Sequence, residues 1–359
     1  MNRKERVHIF VTEIWNWFAV HKRDLPWRDL AIPDDTERAY RILVSEVMLQ
    51  QTQVSRVIVI YKRFLEAFPT LSALAKASNR DVLIAWRGMG YNSRALRLRD
   101  AAKTIMEDFS GIFPKTMEEL QSIKGIGHYT AAAIRNFAFG IPTPCIDTNI
   151  RRVLHRTFVG AEDGDGAWRK KDDYLLKLAE EVLNEAVQWR MDNGKWIMMK
   201  ATMEWHHALM DFGSIVQTKR NPKWDICPLT KRGICRAAKQ WNKEKKVRHA
   251  EQAPRRPSTP PRAALGSAQD DVSGAVSKHV VREPGRFVGT VYIPNRIFRG
   301  KIVEELRDAK NGLLFAELGG RVCLDWKPAE HQKWFKGLLK KLEYDALIER
   351  KRNLYGLKW

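Results

Sequence analysis

From Arg6 to about Trp241 apolar residues recur with the period of an α-helix, and glycine or proline interrupts them at short intervals. That pattern bounds the fold more tightly than any other feature of the chain. One stripe, Val44, Val47, Met48 and Gln51, marks a helix beginning near Glu37. Breaks fall at Phe68-Pro69, Gly88-Met89-Gly90, Phe113-Pro114, Gly125-Ile126-Gly127 and Gly140-Ile141-Pro142. About ten helices joined by tight turns follow from that spacing, and strand-like alternation is nearly absent. Residues 242–284 change character: Pro254, Pro257, Pro260 and Pro261 stand among Arg, Ser, Ala and Asp with few large apolar groups, the composition of a flexible linker. Hydrophobic patterning then returns over 285–359. It predicts a helix over Arg299–Lys310, a short strand over Leu313–Leu318, a helix over Ala329–Leu342 and a hairpin within Ala346–Leu357. A small, basic, winged-helix-like α/β domain is expected there, behind a mainly α first domain over 1–241.

A formal net charge of +21 over 359 residues points to a polyanionic partner, nucleic acid ahead of an anionic membrane. No apolar run reaches the about eighteen residues of a membrane span, and Met1-Asn2-Arg3-Lys4-Glu5-Arg6 leads into a stretch interrupted by polar groups. A cytoplasmic protein, nucleoid-associated if bacterial, is expected, with no membrane partner. Four scattered cysteines, Cys145, Cys227, Cys235 and Cys323, do not make a secreted disulfide framework.

Ile123-Lys124-Gly125-Ile126-Gly127-His128-Tyr129-Thr130 leads into Ala131-Ala132-Ala133-Ile134 and places a two-glycine turn between helices. Glycine lets the main chain approach a ligand without a Cβ in the way. The first N–H groups of the second helix lack intrahelical partners and suit a phosphate oxygen, with Lys124 beside them as a charge. A plain helix–helix turn is the competing reading of Lys124, Gly125 and Gly127.

Ser45-Glu46-Val47-Met48-Leu49-Gln50-Gln51-Thr52-Gln53-Val54, then Gly88-Met89-Gly90-Tyr91, the hairpin, and Ile146-Asp147-Thr148-Asn149-Ile150-Arg151-Arg152-Val153-Leu154 stand in one order along the chain. Together with Leu25-Pro26-Trp27-Arg28 upstream, they resemble the adenine-specific mismatch glycosylases, the MutY family of the helix-hairpin-helix superfamily. The resemblance covers roughly the first two thirds of the chain. It implies a two-lobed fold, with a six-helix unit over about 35–148 and a second unit from 1–34 and 149–241. Duplex DNA with a mismatched or damaged base would lie across the cleft of a monomer. It further implies that Glu46 protonates the leaving adenine and that Asp147 stabilises the cationic sugar, the two-carboxylate logic of glycoside hydrolysis. Apolar neighbours of Glu46 would raise its pKa. Tyr129 stands where bifunctional relatives carry a lysine nucleophile. A phenol forms no imine, so base removal without strand cleavage is expected. Gln51, Thr52, Val54, Met89 and Tyr91 match positions that enter the minor groove or read the partner base, and Asn149 joins the DNA-contacting set. Gln51 and Tyr91 are the candidates to fill the gap left by a flipped base. The bland counterparts are a solvated carboxylate for Glu46, an N-cap for Asp147, a core aromatic for Tyr129 and ordinary helix packing for the groove set, Val54 above all.

Two departures qualify the resemblance. Many members hold a four-cysteine iron–sulfur cluster after the motif that here reads Leu209-Met210-Asp211-Phe212-Gly213, yet Gln217 and Trp224 stand where two ligands are expected and only Cys227 and Cys235 remain. Four thiolates or close substitutes are needed, so no cofactor is expected, with Trp224 and its neighbours filling the space. Zinc held by Cys227, Cys235, His206 and His207 is the alternative, with spacing that matches no closed site well. The family's C-terminal domain that senses 8-oxoguanine is also unrecognisable. In its place stands the basic module, whose Arg296, Arg299, Lys301, Lys336, Lys340 and Lys341 suit phosphate contacts. Excision of adenine opposite guanine or 8-oxoguanine is therefore weighed against excision of thymine from T:G mismatches, and against a non-catalytic DNA-binding protein on a glycosylase fold.

Overall fold

The computed structural model describes residues 1–162, 168–192, 198–241 and 283–358. Helices α1 (Arg3–His21), α2 (Asp35–Leu49), α3 (Val54–Ala67), α4 (Leu71–Lys76), α5 (Asn79–Ala85), α6 (Ser93–Asp108), α7 (Met117–Ser122), α8 (His128–Ile134), α9 (Thr148–Phe158), α10 (Asp172–Asp192), α11 (Met198–Ile215) and α12 (Pro228–Lys231) build the first domain. Short polar caps start many of them. Asp34 accepts from the Glu37 N–H at 2.6 Å, so α2 begins two residues before the Glu37 expected from the apolar stripe. Thr70, Ser78 and Thr116 cap α4, α5 and α7 in the same way.

Two hydrophobic cores form. Tyr40, Phe64, Trp86, Ile105, Leu120 and Ile134 are among the buried residues of the first lobe, and Phe10, Trp15, Phe158, Trp205 and Phe212 among those of the second. Helix α8 lies at the seam: Ala131 and Ala133 pack into the first core and Ala132 into the second. Past Ile134 it widens into a π-helical turn over Arg135–Phe139 that ends on Gly140. The Leu25–Arg28 segment, expected with the second lobe, straddles both. Leu25 and Trp27 are buried in the first core, whereas Arg28 reaches Asp211 on α11.

The expected 242–284 linker lies outside the described residues except for its last two. After it come an unforeseen hairpin, β1 (Gly285–Val288) with β2 (Val291–Pro294), then α13 (Asn295–Asp308), β3 (Leu313–Leu314), α14 (Phe315–Val322), α15 (Pro328–Tyr344), β4 (Ile348–Lys351) and β5 (Leu354–Leu357). The antiparallel sheet runs β3-β5-β4, giving helices and a terminal hairpin in winged-helix order. The strand expected over Leu313–Leu318 stops after two residues. Leu318 and Val322 are buried four apart, a helical spacing that wins over the short apolar run. Helix α13 docks on the first lobe. The Arg307 guanidinium donates to Asn92 Oδ1 at 2.9 Å, Arg87 pairs with Asp308 at 2.5 Å, and Asn79 donates to the Ala346 carbonyl at 3.1 Å.

Candidate active site

Glu46 lies on the buried face of α2, 7 % exposed. Burial pushes its carboxyl up to about 7; the Tyr129 hydroxyl, donating to it, and Arg28 pull the other way, while the nearby Asp147 charge adds to the rise. Tyr129, on the first turn of α8, packs against both cores at the lobe seam. Burial, then Glu46 and Asp147, hold its phenol well above the usual value, so the hydroxyl stays a donor. Two residues 101 positions apart, Glu46 and Asp147, are thus electrostatically coupled, which spacing alone had no means of indicating.

Asp147 is the N-cap of α9. Its Oδ1 accepts from the Asn149 and Ile150 N–H groups at 2.9 and 2.6 Å, and its Oδ2 accepts from the Asn149 side-chain amide at 2.7 Å. Burial raises its pKa against those three donors. Capping and a catalytic role are compatible, because the helix N-terminus favours the anion. Three buried groups that sequence reasoning missed hold this arrangement. Arg152 donates to Asn149 Oδ1 at 2.7 Å and to the carbonyls of Gly213 and Gln217 at 2.8 and 2.6 Å. Asn136, on the π-helical turn, donates to the Thr143 carbonyl and accepts its N–H at 2.8 and 2.9 Å, fixing the segment that leads to Asp147. Gly213 admits α9 against α11: a Cβ there would lie 2.7 Å from the Asn149 Cβ. Arg28 meets Asp211 in a two-pronged pair at 2.8 and 2.9 Å. Although burial alone would raise the Asp211 carboxyl, Arg28 and Arg23 hold it below the usual value.

The set expected to face the groove divides. Gln51 and Tyr91 are exposed non-glycine residues with φ of 55° and 46°, a strained left-handed backbone that clusters at functional sites. Thr52 and Val54 are half-buried, and Val54 packs on the core. Met89 departs from its expected place: at 2 % exposure its side chain is core, so it supports the loop from beneath. Arg94, also missed, ties the two loops together. Its guanidinium donates to the Val47 and Met48 carbonyls at 2.9 and 3.2 Å, to Gln50, to Thr52 Oγ1 at 3.0 Å, and to Gly90 at 3.4 Å. Burial lowers its pKa to about 10. In the hairpin, Ile123 and Ile126 are buried while Lys124, Gly125 and Gly127 are exposed. Gly125 has φ of 101°, and no side chain caps α8 at Gly127.

The residues where the resemblance implies a metal cluster do not fit one. Gln217 is fully buried, and its amide lies 3.9 Å from the sulfur of both Cys227 and Cys235. Trp224 lies over Arg156 at 5.6 Å. Neither Gln217 nor Trp224 supplies a thiolate. His206 bonds the Thr202 carbonyl and Asn136, and His207 stacks on Phe137. Among the described residues no group of three or more His, Cys, Asp or Glu is placed to hold a metal. No described helix is long and apolar enough to cross a membrane.

Residues 44–171 match the HhH-GPD superfamily of base excision DNA repair proteins. The chain is 31 % identical to the adenine DNA glycosylase of Mycolicibacterium smegmatis over 338 residues, 94 % of this chain and 92 % of that one. It is 37 % identical to the human adenine DNA glycosylase over 241 residues, 66 % of this chain and 41 % of that one. Among solved structures, a thermostable thymine-DNA glycosylase superposes with a TM-score of 0.55 at 25 % identity, covering 66 % of this chain and 98 % of that one. A trapped endonuclease III–DNA intermediate has a TM-score of 0.51 at 20 % identity over 67 % of this chain and all of that one, a likeness of fold.

Proposed function

The chain belongs to the adenine DNA glycosylases of the HhH-GPD base-excision repair superfamily, and from that premise we propose that it hydrolyses the N-glycosidic bond of adenine mispaired with guanine or 8-oxoguanine in duplex DNA. The observation that carries the reading is the buried Glu46 with its carboxyl near neutrality, coupled to Asp147 and bonded by Tyr129. As the C1′–N bond breaks, its electron pair leaves with the base, and the Glu46 proton moves to a ring nitrogen. Positive charge develops on the sugar, where the Asp147 carboxylate stabilises it. Water then adds at C1′ and returns a proton to Glu46. Tyr129 offers no amine, so the reaction ends at the abasic site with the strand intact. The open N-terminus of α8 and Lys124 grip a backbone phosphate, and Gln51 and Tyr91 fill the gap that base flipping leaves. No cluster takes part, because two thiols and an amide stand at its place.

Base release from A:8-oxoguanine, A:G and T:G duplexes tests the proposal. Faster release of thymine than of adenine would favour the alternative suggested by the structural likeness to a thymine-DNA glycosylase. No release from any duplex, despite tight binding, would favour a non-catalytic binder.

A further inference from the structure

In the second lobe, the start of α1, the end of α9 and the start of α10 leave a cavity of about 150 Å³, lined by Arg3, Arg6, Phe158, Tyr174 and Arg236. Its charges do not balance. Arg3 is satisfied within the protein, because its Nε donates to both carboxylate oxygens of Glu181 on α10, at 3.1 and 2.8 Å. Arg6 and Arg236 both border the cavity, close enough for each to feel the other's charge. Neither has an ion-pair partner among the described residues, and the Arg6 Nη1 is buried there with no hydrogen-bond partner. We propose that this cavity is a binding site for a compact phosphate dianion, either inorganic phosphate or the phosphate end of a monoester.

Two guanidiniums held together repel, and the more buried of them loses hydration as well. Burial, and then the Arg236 charge, lower the Arg6 guanidinium below its usual value. An anion between the two relieves both effects through charge-assisted hydrogen bonds. Lys170 adds to the field, with its ammonium 5.3 Å from the centre of the Tyr174 ring that forms one wall. Two unmatched charges also select the ligand. A phosphate monoester carries close to two negative charges at neutral pH, whereas each phosphodiester of a nucleic-acid backbone carries one. Size agrees, since pockets that enclose drug-sized molecules begin at about 300 Å³ and this cavity holds only the phosphate group. Placement separates it from the catalytic seam. Helix α9 leads from its Asp147 cap to Phe158, and its 11 residues span about 16 Å at about 1.5 Å each. Helix α1, with 19 residues, carries Arg3 and Arg6 at one end, while beyond its other end Lys22 pairs with Glu204 and Arg23 with Asp211. Both helices thus lead away from the active site to the cavity.

The test titrates the full-length chain with inorganic phosphate, methyl phosphate and dimethyl phosphate at constant ionic strength, read by calorimetry and by thermal melting. We expect the dianions to bind and dimethyl phosphate, with its single charge, to bind at least about tenfold more weakly. Arg6→Gln and Arg236→Gln should each weaken phosphate binding about tenfold or more, as loss of a charge-assisted hydrogen bond does. Lys124→Gln, in the hairpin, should leave that binding as in wild type. In chloride alone, Arg6→Gln and Arg236→Gln should melt at or above the wild-type temperature, because one of two repelling charges is gone; in phosphate the order should reverse. Single-turnover excision should not change, since neither arginine belongs to the catalytic or groove set. Equal binding of inorganic and methyl phosphate assigns the cavity to the end of a larger phosphomonoester, and binding of inorganic phosphate alone assigns it to the free ion; both uphold the inference. Phosphate affinity that is the same in wild type and in both arginine variants would overturn it. So would variants that melt lower by the same amount in chloride and in phosphate, which would make the arginines packing groups. Lost duplex affinity with phosphate binding intact would equally overturn it and make them contacts to the DNA backbone.

Discussion

In the proposed reaction Glu46 carries both the chemistry and its cost to stability in one side chain. Its carboxyl titrates near 7 in the fold against 4.5 for the free group. The folded protein therefore keeps a proton that the unfolded chain releases, and stability falls as pH rises through the window from about 4.5 to about 7, by about 3 kcal/mol in all. Glu46→Gln removes that loss: it should melt higher than wild type at pH 8, with the gap closing at pH 4.5, while base excision is abolished. A melting difference independent of pH would show that Glu46 does not titrate as a buried acid. Because the proposed mechanism has the acid form of Glu46 donate the proton, single-turnover excision by wild type should decline as pH passes about 7. Asp147→Asn should likewise abolish excision and keep duplex binding, since it alters charge at the sugar and no phosphate contact; turnover near wild type would remove Asp147 from the mechanism. Tyr129 predicts product strands that stay intact until hot alkali, and good yields of a borohydride-trapped adduct would expose an amine nucleophile. The sequence singled out these three residues because their motifs stand in one order along the chain, and the fold couples them electrostatically. Arg94, Arg152 and Asn136 were not singled out: most of their partners are backbone carbonyls and amides, which leave no signature in side-chain identity.

At the scale of elements, helical periodicity and its glycine and proline breaks located most of the first domain, because caps and buried stripes repeat at fixed offsets. The exceptions are physical. Leu313–Leu318 reads as a strand until Leu318 and Val322 are seen on one helical face, and the β1–β2 hairpin has only four residues on each side, too short to stand out. Met89 lies in a loop flanked by glycines that resembles an exposed wedge, but its side chain points into the core. Arg94 couples this loop to the end of α2, and the two strained residues, Gln51 and Tyr91, flank it. Lysine has one ammonium in place of a fork and does not span both loops. Arg94→Lys should therefore leave buried carbonyls unpaired, at about 1–3 kcal/mol, and misplace the wedge, where a shift of about 1 Å costs on the order of a hundredfold in rate. Base flipping followed by a fluorescent adenine analogue should weaken together with excision. Normal flipping and excision in a folded Arg94→Lys protein would leave Arg94 as packing only.

Across the whole molecule, the module meets the first lobe through polar contacts and through an apolar cluster that joins Leu306 and Leu347 to the first core, whereas Glu46, Asp147 and Tyr129 sit at the seam of the two lobes, on α2, the N-cap of α9 and α8. Aromatic anchors such as Phe64 and Trp86 in one lobe, and Trp15 and Trp205 in the other, come from the first 241 residues. Because those anchors stay, removing residues 283–359 should leave a folded body with Glu46, Asp147 and Tyr129 in place. What goes with the module is cationic surface: Arg296, Arg299 and Lys301 on α13, and the exposed Lys336 and Lys340 on α15. Each that neutralises a phosphate releases condensed counterions, so the salt slope should flatten by about 0.9 for every phosphate left without its cation. Affinity at moderate salt should fall with it. Single-turnover excision at saturating enzyme should survive, because saturation removes the binding deficit and leaves only the chemical step. A truncated protein that binds with an unchanged slope but no longer distinguishes A:8-oxoguanine from A:C would assign the module to base discrimination. A truncated protein that melts normally yet excises slowly at saturation would instead mean that the Arg307–Asn92 contact braces the groove loops.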